Sequence, residues 1–392
     1  MTPRQHIYFD HAASTPVREE VLEVMLPFWT TDYGNPSSVH RHGQKASQAL
    51  EMARQSIAES INAHPDEIVF TGCGSESDNL ALRGVMLAAR AAGKGNHLIT
   101  SIIEHKAILS TALQLRDMFG FDLTVLPVDE YGLIDLSELE AAIRPDTVLI
   151  SVMAANNEIG TIQPYGRIGQ LAHERGVLFH TDAIQAAAVA PWDMVNMPVD
   201  LMSLAPHKFY GPKGIGILYV QRNANLISTL TGGSQEGGRR AGTVNVPYAV
   251  GAAKALRLAV QEQEEVTAHY RRLTGTLVDG LLSQLPQICR LTGHPTQRLP
   301  QTASFAFRRI SGNELLMHLD IAGISASSGS ACLTGDPKPS AILEAIGMGS
   351  DWTKGGLRLT VGRQNDLQDI EYALETIPSI IRRMEQLHTA HA

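Results

Sequence analysis

Between residues 67 and 220, short β-prone runs alternate with stretches of helical periodicity, and this alternation confines the chain to one class of architecture. The runs cover 67–70, 97–101, 123–127, 147–153, 177–180, 199–204 and 215–220, with helical patterns such as 75–92, 106–119 and 168–175 between them. A strand that returns through a helix pairs in parallel with its predecessor. The pattern therefore predicts an α/β chain with a mainly parallel seven-stranded sheet sandwiched by helices. A longer Ala/Leu/Glu-rich helical pattern runs over 247–284. Beyond it the order changes to a strand at 302–307, a helix at 312–321, a loop at 327–339, a strand at 357–361 and a terminal helix at 366–388. This shift predicts a large domain over 16–260 and a smaller α+β domain over 261–392, with residues 1–15 as an N-terminal arm.

Charge and cysteine usage narrow the function. The net charge of -8 is spread along the chain with no basic block, which gives no support for binding nucleic acid or an anionic membrane. No apolar run approaches membrane-spanning length, and Met1-Thr-Pro-Arg-Gln-His-Ile-Tyr-Phe-Asp10 lacks the apolar core of a signal peptide. A cytoplasmic protein is expected. Cys73, Cys289 and Cys332 are far apart and odd in number, which disfavours a disulfide framework and a structural zinc site while leaving room for a nucleophilic thiol.

In open α/β sheets, ligands bind beyond the carboxyl ends of the strands, so the polar residues there carry the chemistry. The first run leads into Thr71-Gly-Cys-Gly-Ser-Glu-Ser-Asp78, a Gly-rich turn opening a helix. Gly74 and Ser75 there can cradle a phosphate on free backbone N–H groups; Ser75 with Asp78 can equally form a capping box. His105 follows the second run as a helix cap, a packed residue or a ring partner. Asn156-Asn157 offers an amide or simply a turn, and Asp182 stands where a carboxylate requires a cationic partner. The last two runs flank Lys208 in Ser203-Leu-Ala-Pro-His-Lys-Phe-Tyr-Gly-Pro-Lys-Gly214. This lysine is either an ordinary solvated loop lysine or, if the apolar edge buries it, an amine of lowered pKa that can form a Schiff base with a carbonyl. A phosphate cradle, a ring-sized histidine, an amide, an acidic partner and a lysine together suit pyridoxal phosphate. Gly72-Cys-Gly74 lacks the third glycine of a dinucleotide fingerprint, which disfavours NAD.

These residues resemble the cysteine desulfurases of the NifS/IscS-like group, class V aminotransferases of the fold-type I pyridoxal-phosphate enzymes. The matches run through Tyr8-Phe-Asp-His-Ala-Ala13, Ser75-Glu-Ser-Asp-Asn-Leu80, Ile103-Glu-His-Lys106, Asn156-Asn-Glu-Ile-Gly160, His180-Thr-Asp-Ala-Ile-Gln185, His207-Lys-Phe-Tyr-Gly-Pro-Lys-Gly214, Gly242-Thr243, Ser327-Ser-Gly-Ser-Ala-Cys332 and Leu357-Arg-Leu-Thr-Val-Gly362. The resemblance implies that Lys208 is the Schiff-base lysine, Asp182 pairs with the pyridine nitrogen and His105 stacks on the ring. Gln185 and Asn157 would contact the ring oxygen or substrate. Gly74, Ser75 and His207 would hold the phosphate, with Thr243 reaching over from the second subunit of a homodimer. The N-terminal arm would pack with the small domain. Arg358 would anchor the substrate carboxylate, and Cys332 would take the sulfur of L-cysteine as a persulfide, leaving L-alanine and supplying a sulfur-acceptor protein, an iron-sulfur scaffold or another carrier. Three positions depart from the family pattern: Ala205 replaces a usual hydroxyl, Gly237 a usual arginine and Ala241 a serine. The C-terminal Glu385-Gln-Leu-His-Thr-Ala-His-Ala392 is unlike the tail of scaffold-binding members, so the acceptor stays open. The fold serves other reactions too, so an aminotransferase or another lyase with an incidental Cys332 is the alternative, and an idle partner-binding homologue a third.

Overall fold

The seven apolar runs form one sheet. The computed structural model describes residues 6–328 and 339–390, and its strands are β1 (Ile7–Tyr8), β2 (Ile68–Thr71), β3 (His97–Ser101), β4 (Asp122–Leu126), β5 (Thr147–Ser151), β6 (Leu178–Asp182), β7 (Leu201–Leu204), β8 (Gly216–Val220), β9 (Cys289–Leu291), β10 (Thr302–Phe307), β11 (Ile324–Ser325) and β12 (Gly356–Thr360). The large sheet has the order β2-β8-β7-β6-β5-β3-β4. All its pairings are parallel except those of β8, which runs antiparallel to β2 and β7. The segment carrying Lys208 reverses the chain between β7 and β8.

Strands buried on both faces carry apolar residues at successive positions, which point alternately to opposite faces. Ile68, Phe70, Ile99, Ile150, Ile217 and Tyr219 enter one core with Val21, Met25, Ile57 and Leu256, which lies under the helices Arg41–Ser60 and Val246–Gln261. Val69, Leu98, Leu149, Leu218 and Val220 enter the opposite core with Leu80, Leu82 and Leu115, from the helices Gly74–Ala91 and Lys106–Phe119. Only β4, at the sheet edge, is mostly half-exposed.

A second, antiparallel sheet of order β12-β10-β9 packs against the helices Gln263–Gln284 and Leu367–Ala390. Ile7 and Phe9 join that core, and β1 pairs in parallel with β11. The first residues are thereby sewn beside β12, whose Thr360 N–H donates to Phe9 O at 2.7 Å. Among the described residues, no helix is long and apolar enough to cross a membrane.

The structure departs from the sequence expectations at element ends. The helical pattern over 247–284 is two helices that break at Glu262 (φ -103, ψ 4), whose carboxylate pairs with Arg18 at 2.6 Å and with Arg363. β9 is only three residues long, too short for periodicity to reveal. Pro65–Glu67 form a 3-10 turn, so β2 begins at Ile68. β6 runs on through Asp182, placing that carboxyl on the strand itself.

Gly169 tests the packing of the helix Tyr165–Glu174. Alanine normally favours a helix interior over glycine by about 1 kcal/mol, but a Cβ at Gly169 would lie 1.9 Å from Pro198 O, a backbone atom that cannot yield cheaply. Gly169→Ala is expected to lower stability by about 3 kcal/mol, read from the urea midpoint. A stabilised variant would contradict this close approach.

Candidate active site

The carboxyl ends of the strands meet at a cavity of about 320 Å³. Nine of the eleven residues singled out from the sequence line it: Gly74, Ser75, His105, Asn157, Asp182, Gln185, His207, Lys208 and Arg358. Thr243 is exposed and outside this lining, and Cys332 lies outside the described residues.

One end of the cavity is the start of the helix Gly74–Ala91. Its N-cap, Cys73, makes no side-chain capping bond, so the capping box considered from the sequence does not form. The Glu76 and Ser77 N–H groups bond Cys73 O, so those of Gly74 and Ser75 are the ones an anion would meet, and the helix dipole also favours it there. A Cβ at position 74 would come within 2.4 Å of Ile184 Cδ1 and 3.2 Å of Ala205 Cβ, so a larger residue there would have to turn the Ile184 side chain aside. Ser75 and His207 add polar groups at this end. His207 is held neutral, its pKa lowered to about 4 by burial and by the charges of Lys208 and Lys213.

Lys208 ends the 3-10 turn Pro206–Lys208 just after β7. Its Nζ donates to Ala12 O at 2.5 Å and to Ala13 O at 2.9 Å. Burial and then the charge of Arg358 lower its pKa to about 8, against the opposing pull of Asp10 and Asp182. An amine so placed is partly free base near neutrality, the form that attacks carbonyls. Gln185 Nε2 also donates to Ala12 O, at 3.0 Å.

Asp182 is 5 % exposed, and burial raises its pKa. The Ile184 N–H, donating to Oδ1 at 2.9 Å, and the charges of His105 and Lys208 work against that rise. His105 is the N-cap of Lys106–Phe119: its Nδ1 accepts from Ala107 N at 3.1 Å, which orients the ring, and burial lowers its pKa. The cap and the ring partner are thus compatible roles for one residue.

Arg358, on β12, crosses from the small sheet to the large one. It donates from Nη2 to Asp10 Oδ1 at 2.7 Å and from Nη1 to Asn157 O at 2.8 Å, while its buried Nε has no partner. The Ser327 backbone pairs with that of Arg358, a lining residue, and Ser340 Oγ donates to Glu158 Oε2 at 3.2 Å, next to the lining residue Asn157, so the residues on either side of 329–338 are each tied close to the cavity lining.

Sequence reasoning gave no role to several groups here. The Ala12 and Ala13 carbonyls are backbone acceptors with no side-chain signature, and Asp10 was legible only as part of a family motif. Behind the cavity, Asp78 and Glu104 are buried carboxyls at the starts of elements. Burial pushes Glu104 up to about 8, although Ser101 Oγ and Met153 N both donate to its Oε1.

An uncapped helix N-terminus at one end, a buried carboxyl that needs a proton-bearing nitrogen and a lysine of lowered pKa between them fit a phosphorylated pyridine aldehyde. Residues 7–373 match the family described as aminotransferase class-V. The chain is 45 % identical over 386 residues to cysteine desulfurase IscS of Methanosarcina thermophila, covering 98 % of this chain and 94 % of that one. It is 40 % identical over 384 residues to cysteine desulfurase IscS of Dictyoglomus turgidum, covering 98 % and 96 %. Among solved structures, a NifS-like protein superposes with TM-score 0.90 at 36 % identity, over 96 % of this chain and all of that one. A structure described as SspA in complex with cysteine superposes with TM-score 0.78 at 37 % identity, over 91 % and 98 %.

Glu104 gives the site a measurable pH signature. Its folded pKa of about 8 lies above the ordinary 4.5, so the folded chain keeps a proton that the unfolded chain loses across that window. Stability therefore falls as pH rises through it, by up to about 1.4 kcal/mol per pH unit. In Glu104→Gln this contribution is absent, and the variant should gain on the wild type between the low and high ends of the window, as read by urea midpoints. A difference independent of pH would contradict a protonated Glu104.

Proposed function

The chain belongs to the class-V aminotransferase family as a pyridoxal-phosphate-dependent cysteine desulfurase, and on that premise we propose a division of labour among its side chains. Lys208 would take the cofactor aldehyde, Asp182 would meet the ring nitrogen, and His105 would pack on the ring. Gly74, Ser75 and His207 hold the phosphate, while Gln185 and Asn157 face the ring oxygen and the substrate. When bound, the cofactor supplies an aldehyde that captures the substrate amine and a ring that accepts the electron pair freed at the α-carbon.

The substrate is L-cysteine, and Arg358 is its carboxylate anchor. The burial of that guanidinium, at 8 % exposure, supports this reading, because the unpartnered Nε leaves donor capacity that a second carboxylate would satisfy. Lys208, released as a free amine near neutrality, takes the α-proton. His105, whose ring nitrogen lies within 4.8 Å of an Asp182 oxygen, would exchange a proton with the departing sulfur. The Cys332 thiolate would attack that sulfur, forming an S–S bond as the Cβ–S bond breaks and its electron pair stays with Cβ. A proton taken up at Cβ and the α-proton returned from Lys208 would complete alanine, leaving the sulfur on Cys332 as a persulfide.

The observation that carries the assignment to Cys332 is the anchoring of its flanks: Ser327 is bonded to Arg358 and Ser340 to Glu158, both beside Asn157. We further propose a cytoplasmic homodimer in which Thr243 of the second copy completes the phosphate site. The exposed apolar residues Leu26, Trp29, Tyr33 and Val39 support a covered face. The persulfide would pass to a sulfur-acceptor protein, such as an iron-sulfur scaffold or another carrier.

Addition of L-cysteine and a reductant to the loaded protein tests the assignment. Cys332→Ser is expected to keep the visible cofactor band and lose sulfide release, whereas Lys208→Ala loses the band. Undiminished sulfide from Cys332→Ser would sink the persulfide step, and amino transfer to a keto acid would point to an aminotransferase. Arg358→Ala should raise the KM for cysteine by about tenfold or more, the equivalent of one charge-assisted pair. An unchanged KM would remove Arg358 from substrate binding.

A further inference from the structure

Asp78 is a buried carboxyl at the site to which the proposed chemistry gives no task, and unlike Glu104, whose Oε1 accepts from Ser101 and Met153, it has no hydrogen-bond donor of its own. It lies in the helix Gly74–Ala91, is 0 % exposed, and neither carboxyl oxygen has a hydrogen bond of normal length. One of its oxygens, one from Asp182 and a ring nitrogen of His105 lie within 4.8 Å of one another. Two carboxylates at such a separation in a buried site cannot both stay ionised, so one holds a proton.

The surroundings decide which one. Asp182 and His180 face Asp78 from β6, Ser203 from β7, Glu104 and His105 from the segment after β3, and Cys73 from the turn before its own helix. None of these gives Asp78 a bonded cation. His180 Nε2 stands 3.8 Å from Oδ1, beyond hydrogen-bond reach, and its two nitrogens are already engaged with the Ser151 and Ser203 hydroxyls at 2.9 and 3.0 Å. That ring is fully buried and neutral, its pKa lowered to about 3 by burial. Asp182, by contrast, accepts the Ile184 N–H and is helped toward ionisation by His105 and Lys208.

We infer that Asp78 is a positioning residue: it holds the one proton of the Asp78–Asp182 pair, so that Asp182 meets the cofactor ring nitrogen as the carboxylate. The inference rests on the proposed pairing of Asp182 with that nitrogen. As the neutral acid, Asp78 sets a polar O–H within 4.8 Å of the Asp182 carboxylate without adding a second negative charge there. Burial first, then the negative charge of Asp182, pushes the Asp78 carboxyl well above the usual carboxylate range, with only Ser203 pulling it down, in keeping with this assignment.

The test uses the full chain loaded with pyridoxal phosphate, as wild type, Asp78→Asn, Asp78→Leu and Asp182→Asn. The readouts are the cofactor dissociation constant and the pH midpoint of its visible band. Asparagine copies the neutral acid in shape and donor, so Asp78→Asn should hold the dissociation constant within about threefold and leave the midpoint in place. Asp78→Leu removes the donor and should weaken cofactor binding about tenfold and displace the midpoint, and Asp182→Asn should do at least as much. Asp78→Asn losing as much affinity as Asp182→Asn would place the charge on Asp78 and overturn the inference. Asp78→Leu matching wild type in both readouts, with only its unfolding temperature lowered, would reduce Asp78 to packing and overturn it too. Wild-type behaviour of Asp182→Asn would instead remove the ring-nitrogen pairing beneath it. Should the leucine variant not fold, the infrared spectrum of the cofactor-free protein at neutral pH decides. A protonated-carboxyl band lost in Asp78→Asn is expected, and an unchanged spectrum overturns the inference.

Discussion

Burial of charge at the carboxyl edge of the large sheet is the constraint from which the rest of the site follows. Asp182 ends a strand that is buried almost throughout, and a carboxylate there costs several kcal/mol unless positive charge and hydrogen bonds meet it. Within the chain, that help comes from the Ile184 N–H and, at longer range, from His105 and Lys208. A protonated ring nitrogen would complete it. The same burial that raises Asp182 lowers Lys208 to about 8, so one environment prepares both the acid partner and the amine. A fully exposed edge would leave both at their ordinary values, with little reason to prefer a pyridine cofactor over water.

Residues near the two ends of the chain close this arrangement. Lys208 is held by the carbonyls of Ala12 and Ala13, and Arg358 by Asp10, in a stretch whose neighbours Ile7 and Phe9 are buried in the core of the small sheet. The small sheet therefore orients the lysine and the arginine through these first residues and β12 as much as through direct contact. This explains how a segment with only two residues in a strand carries so many of the bonds at the site. It also links substrate binding to sheet packing, since a carboxylate arriving at Arg358 meets a guanidinium already shared with Asp10 and Asn157.

The layering of the large sheet was legible because its strands are buried on both faces: Ile68, Val69 and Phe70, or Leu149 and Ile150, read as unbroken apolar runs and divide between the two cores by their alternation. The cavity lining was legible for a related reason. In such a sheet, the polar residue that breaks an apolar run falls at its carboxyl end, as Asp182 and Lys208 do. What escaped the sequence is what depends on distant pairing. Backbone carbonyls such as those of Ala12 and Ala13 carry no side-chain signal, and the break at Glu262 is visible only once Arg18 and Arg363 are seen to meet there. Asp78 read as half of a capping box, because only the tertiary fold brings it up behind Asp182.

Everything proposed for the site depends on Lys208, at the reversal between β7 and β8, taking the cofactor. Borohydride reduction of the pyridoxal-phosphate-loaded protein, followed by peptide mapping, tests it most directly. A stable pyridoxyl adduct is expected on the peptide that carries Lys208 and on no other. An adduct on Lys106 or Lys213, with Lys208 unmodified, would contradict it.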